Sequence, residues 1–141
     1  MLFGPSPQAL SEIECWRLLG AGGIGRLAVT IGALPRIVPV RYALDSGQIL
    51  LCLGDQAELT DAVNNTVVAF AADSLTDDNR HGWFVEINGV AELAPSMERT
   101  RGCSHESPPL IASVEPTLIT GSTYRLCDAG LAGGSPDRQL R

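Results

Sequence analysis

Hydrophobic and polar positions alternate through most of the chain, with a period of two. The alternation is densest between residues 36 and 73. Arg36–Leu44 places Val38, Val40, Tyr42 and Leu44 on one face, as a half-buried strand does. Gln48–Leu53 is apolar on both faces, as in a strand covered on two sides. Asp45-Ser46-Gly47 between them is a short, glycine-containing hairpin connection. A short helix is expected over Ala57–Asn65 and a Val- and Ala-rich strand over Thr66–Ala72.

The flanks add more strands. Arg26–Ile31 directs Leu27, Val29 and Ile31 inward, and Gly32-Ala33-Leu34-Pro35 turns the chain. Gly82–Leu93 is the clearest strand, with Trp83, Val85, Ile87, Ala91 and Leu93 on one face. Its other face mixes Glu86, Asn88 and Glu92 with Phe84 and Val90. Two large apolar residues on the polar face call for cover, so a homodimer is expected. Ser74–Arg80 reads as a surface loop and Pro95–Gly102 as a short helix, followed by a loop to Pro109. Leu110–Glu115 and Leu118–Leu126 read as two closing strands, broken at Pro116 and Gly121.

Near the start, Ser11-Glu12-Ile13-Glu14 fits a capping box, Ser11 at the N-cap and Glu14 at the third position. That helix should run to about Leu19 and stop at the glycines. Gly20-Ala21-Gly22-Gly23-Ile24-Gly25 matches G-x-G-x-x-G. A dinucleotide fingerprint needs a strand before it and a helix after it; here the order is reversed, and the run reads as a helix stop and connector. The expectation is a mainly β fold, a barrel of about six strands with short flanking helices, over residues 1–127. Residues 128–141, rich in Gly, Pro and polar types, read as a disordered tail.

Composition narrows the function. The chain has 141 residues and a formal net charge of −6, against non-specific binding to nucleic acid or anionic membranes. All 10 basic residues are arginine. No apolar run is long enough to span a bilayer. MLFGPSPQ has no signal-peptide character. Cys15, Cys52, Cys103 and Cys127 show no C-x-x-C spacing; reduced thiols in a cytoplasmic protein are expected. Cys103 and His105 have no third and fourth ligand at a usable spacing, so no metal site is assigned. Neither His81 nor His105 has a partner that makes a dyad or triad, and Asp77-Asp78 reads as a solvated turn. No catalytic residue is assigned.

GRLAV (25–29), Pro35 with PVRYALD (39–45), VAFAAD (68–73) and GWFVEINGVAEL (82–93) occur in an order and spacing that resembles the pyridoxamine 5'-phosphate oxidase-like family, the flavin-binding split β-barrels. The resemblance runs from about Leu10 to Tyr124. It implies a barrel dimer with FMN, or the related deazaflavin coenzyme, at the interface, in an oxidoreductase. The flavin ring would lie along Pro39–Tyr42, and the phosphate where the strand ending near Leu53 enters the helix near Glu58. The residues implied in cofactor binding are Arg41, Tyr42, Cys52, Leu53, Gln56, Ala57, Glu58 and Trp83. Relatives carry a lysine where this chain has Glu58, and basic residues near the position of Ser122-Thr123. Glu58 suits the first turn of its own helix. Arg41 either replaces the missing cation or is a surface residue; Trp83 is either a flavin neighbour or a barrel-end core residue. The alternative is a family member whose degenerate phosphate site takes another ligand or none, or a non-enzymatic structural barrel.

Overall fold

A computed structural model describes residues 8–20, 22–54, 56–78, 80–94 and 110–125. The expected helix at 95–102, the loop to 109 and the tail after Asp128 lie outside the described residues. In chain order the elements are β1 (Gln8–Ala9), α1 (Glu12–Leu19), β2 (Gly23–Ile31), β3 (Leu34–Asp45), β4 (Gln48–Gly54), α2 (Ala57–Val63), β5 (Thr66–Leu75), β6 (His81–Ala94) and β7 (Leu110–Arg125). Every strand pairing is antiparallel, and six strands close a ring in the order β7-β4-β3-β2-β5-β6, with β6 pairing back onto β7. β1 adds to the outer edge of β7 at Thr123 and Ser122. This is the expected mainly β barrel.

Two tight turns set the register. Gly32 and Ala33 (φ 57° and 66°) join β2 to β3, and Ser46 and Gly47 (φ 51° and 82°) join β3 to β4. Two successive positive φ values match the right-handed twist of paired strands. The second loop is therefore one residue shorter than Asp45-Ser46-Gly47, because Asp45 already pairs with Gln48.

Alternation then sorts the faces. Leu27, Val40, Tyr42, Ile49, Leu51, Leu53, Val68, Phe70, Val85, Ile87, Ala112 and Val114 fill the barrel. α1 closes one end. Ser11 caps it by accepting a hydrogen bond from the Glu14 N–H at 3.2 Å, as the capping box predicts, and Gly20 (φ 64°) stops it. Leu10 N–H donates to the Gly121 carbonyl at 2.9 Å, tying the helix to β7. α2 closes the other end, near the finish of β6, where the Leu93 N–H donates to Asn64 Oδ1 at 3.2 Å. It ends at Val63, two residues before the expected Asn65, which has turned to φ 56°.

Two further expectations are corrected. β5 continues to Leu75, so the turn to β6 spans only 76–80, clasped by the Thr76 N–H donating to the His81 carbonyl. The two closing strands are one, β7, running through Pro116 and Gly121. A bulge absorbs the proline: Asn88 faces Leu118 while Gly89 faces Pro116, leaving Thr117 extra. The Thr117 hydroxyl donates to the Asn88 carbonyl at 3.0 Å. A bulge is where a residue without an N–H can sit in a sheet. Gly89 is needed there, because a Cβ would lie 2.1 Å from the Glu115 carbonyl oxygen.

Candidate functional site

β3 and β4 divide the sequence-derived site residues between the two faces of the barrel wall. Tyr42 and Leu53 point inward and are 6% and 1% exposed. The Tyr42 hydroxyl donates to the Leu19 carbonyl at 2.8 Å, and its ring meets Phe70 edge-on at 4.9 Å. Burial pushes the Tyr42 pKa above the usual tyrosine value. Tyr42 and Leu53 are thus structural within one chain.

Arg41 and Cys52 stand on the outer face, directly paired across β3 and β4. Arg41 is exposed and forms no ion pair among the described residues. Its other neighbour is Ile24 on β2, 65% exposed. Cys52 is disulfide-bonded, which corrects the expectation of a reduced thiol at that position, while Cys15 is free and buried as expected. Beyond Gly54 (φ 65°) the chain turns into α2. Gln56 takes the N-cap position without a side-chain hydrogen bond, and Ala57 and Glu58 are exposed in the first turn. Arg41, Cys52 and the entry to α2 therefore form one outer region.

Trp83 lies farther along the barrel wall. It is half-buried at the start of β6, beside Leu18 of α1, at the barrel end opposite α2. There it lines an open cleft of about 520 Å³ with His81, Tyr124 and Arg125 among its walls. The cleft was missed in the sequence because its walls come from residues more than 100 positions apart.

The outer face of β2, β3, β5, β6 and β7 is broadly apolar. One cross-strand row reads Ile37, Ala28, Ala69, Asn88, Leu118, and Val67 faces Val90 beside it. Ile37 is 73% exposed, Val67 69% and Leu118 54%. Phe84 and Val90 are exposed as expected. Ile37, Val67 and Leu118 extend the patch, which appears only when the strands are laid in order. The Arg26–Asp73 ion pair crosses the same face.

Barrel closure by six antiparallel strands, with a helix at each end, defines the split-barrel class. The chain belongs to the pyridoxamine 5'-phosphate oxidase family, whose pattern it matches over residues 11–110. It is 29% identical over 134 aligned positions to an uncharacterized protein of Mycobacterium tuberculosis, covering 82% of this chain and 88% of the relative. Among solved structures it resembles an FAD binding protein from Mycobacterium smegmatis, with a TM-score of 0.67 and 28% identity over 85% of this chain and 100% of that one. An FAD-binding protein from Mesorhizobium loti shares the fold, with a TM-score of 0.64 and 19% identity over 84% and 99% of the two chains. No helix among the described residues is long and apolar enough to cross a membrane.

The residues present fit a flavin in part. The outer face offers apolar ground for a ring system at Ile24 and, at Arg41, a guanidinium with no ion pair among the described residues. Against this, Glu58 is a carboxylate at the entry to α2, and no lysine is available to offset it.

Proposed function

We propose that this protein is a homodimeric flavin-binding barrel of the oxidoreductase type. The flavin lies between the subunits, over the outer face of β3 and β4. The observation that carries this reading is the likeness to the FAD binding protein of M. smegmatis, which spans the whole of that chain at 28% identity. The apolar outer face supports the dimer, since a row from Ile37 to Leu118 open to water is more than a monomer's surface ordinarily leaves uncovered. A bound flavin would supply the hydride chemistry. The chain's own part is to hold and shield it. Arg41 would meet the phosphate, with Gln56 as a neutral donor, and the partner's outer face would exclude water from the ring.

FMN and FAD share the isoalloxazine ring and ribityl phosphate, and FMN is the simpler fit. Glu58 favours a second reading, in which the phosphate site is degenerate and takes another ligand or none. A carboxylate about 4 Å from a phosphate charge costs roughly 4 kcal/mol at an effective dielectric near 20, before screening.

Titration with FMN, FAD and a deazaflavin, followed by flavin fluorescence, tests both readings. Wild type should bind FMN weakly, Glu58→Lys about thirtyfold more tightly for a gain of about 2 kcal/mol, and Arg41→Ala not measurably. Tight binding unchanged by both substitutions would show that the phosphate is held elsewhere. Failure of Glu58→Lys to bind any of the three would favour the flavin-free reading.

A further inference from the structure

The disulfide at Cys52 is built on the outer wall of the barrel, not in its core. The inward residues of β4 are Ile49, Leu51 and Leu53, and Cys52 alternates away from them. The six-strand ring closes through backbone ladders alone. Cys52 is half-buried and sits between Arg41 on β3 and Ile111 on β7, in direct register with both. Ile111 is 6% exposed while Arg41 is exposed, so the open side of the sulfur is the side of the guanidinium. Cross-strand neighbours in register hold their Cβ atoms about 5 Å apart, a span that an arginine side chain covers. Among the described residues, the acidic groups on adjoining elements are Asp45 on β3, Glu58 and Asp61 on α2, Glu92 on β6 and Glu115 on β7. None of them is in register with Cys52. A cation beside a sulfur favours the thiolate, and a stabilised thiolate is the better leaving group in disulfide exchange.

We infer that the Cys52 disulfide is a redox-active site reduced by a low-molecular-weight thiol, with Arg41 holding the departing Cys52 sulfur as a thiolate. The external thiolate attacks the sulfur bonded to Cys52. The S–S bond breaks, and its electron pair leaves on Cys52 beside the guanidinium. A second external thiolate then attacks the external sulfur of the mixed disulfide and releases the partner cysteine. Two external thiols are oxidised to one disulfide, and the protein disulfide gains two electrons. Of the two protons given up, one goes to the partner sulfur and one to solvent, since Cys52 stays ionised. The site does not depend on the flavin reading.

The full chain, as purified and with no flavin added, is equilibrated in glutathione redox buffers under native conditions. Acid trapping, alkylation and mass spectrometry of the Cys52 peptide give the reduced fraction. Wild type should be reduced within the range of such buffers. Arg41→Gln should lower the equilibrium constant for reduction about tenfold, or about 30 mV. In the reduced protein, the pH dependence of iodoacetamide labelling at Cys52 should place its pKa below the ordinary value of about 8.5. Arg41→Gln should return it to that value, and Arg36→Gln, elsewhere on β3, should match wild type. Cys15, whose thiol is pushed up by burial and then by Glu14 and Glu12, should label slowly in all three proteins. A disulfide that resists millimolar reduced glutathione in the native protein would overturn the inference. So would a Cys52 pKa at or above the ordinary value, or equal behaviour of the Arg41 and Arg36 variants.

Discussion

Replacing Tyr42 by Phe removes one oxygen atom from the barrel and should loosen α1. The hydroxyl donates to the carbonyl of Leu19, the last residue of that helix, at 2.8 Å. The last carbonyls of a helix have no partner within the helix. The pair is buried, so water cannot replace the lost donor without entering the barrel end. A buried acceptor left unsatisfied costs about 1–3 kcal/mol. The ring stays, and with it the edge-on contact to Phe70, so little packing energy is lost. At roughly 3 °C per kcal/mol for a domain of this size, Tm should fall by about 3–9 °C at neutral pH. Alkali gives an independent check. Burial raises the folded-state pKa of Tyr42, so the protonated hydroxyl contributes its stability fully below the unfolded value of about 10. That contribution is lost as pH rises through the raised folded value. The wild-type and Tyr42→Phe stability curves should therefore converge above about pH 10. Tyr124, whose pKa is raised by burial and then by Asp73, is present in both proteins and cancels. Urea unfolding followed by circular dichroism from pH 7 to 11 measures this. Equal stability at neutral pH would refute the view that Tyr42 braces α1.

Gly25→Ala should cost about 3 kcal/mol or more in urea unfolding, since a Cβ would lie 2.3 Å from Phe70 Cζ and 2.7 Å from the Ala71 carbonyl oxygen. Ser11→Ala should cost about 1 kcal/mol, with Ser11→Asp near wild type, because only a side-chain oxygen is needed to accept from the Glu14 N–H; equal losses in both would argue against the cap. Val67→Arg should convert the expected dimer to a monomer by light scattering at micromolar concentration, because it places a charge in the middle of the apolar outer face; a wild-type monomer would remove the interface altogether.

Period-two alternation is a local property, and it determined most of the strands. The inward set of β3, from Val38 to Leu44, was legible because each residue's face depends only on its neighbours in the chain. The same holds for the Ser11 cap, where donor and acceptor are three residues apart, and for the helix-stopping role of Gly20. Phe84 and Val90 stood out because they break the polar face of their own strand. What pairs with what was not legible. Pro116 looked like a strand end; opposite Gly89 it is a bulge in a continuous β7, and that depends on a residue 27 positions away. Nor could the sequence divide Tyr42 from Arg41 by role. Adjacent in the chain, they face opposite sides of the wall, and only the position of Leu19 and Phe70 inside the barrel makes Tyr42 a brace. The family resemblance groups Trp83 with Glu58, and barrel closure sets them at opposite ends of one chain. The sequence by itself determined which residues face inward, since that follows from spacing along a strand. Tertiary structure decided which outward residues share a surface and where a cleft opens, because those follow from the order in which the strands close the ring.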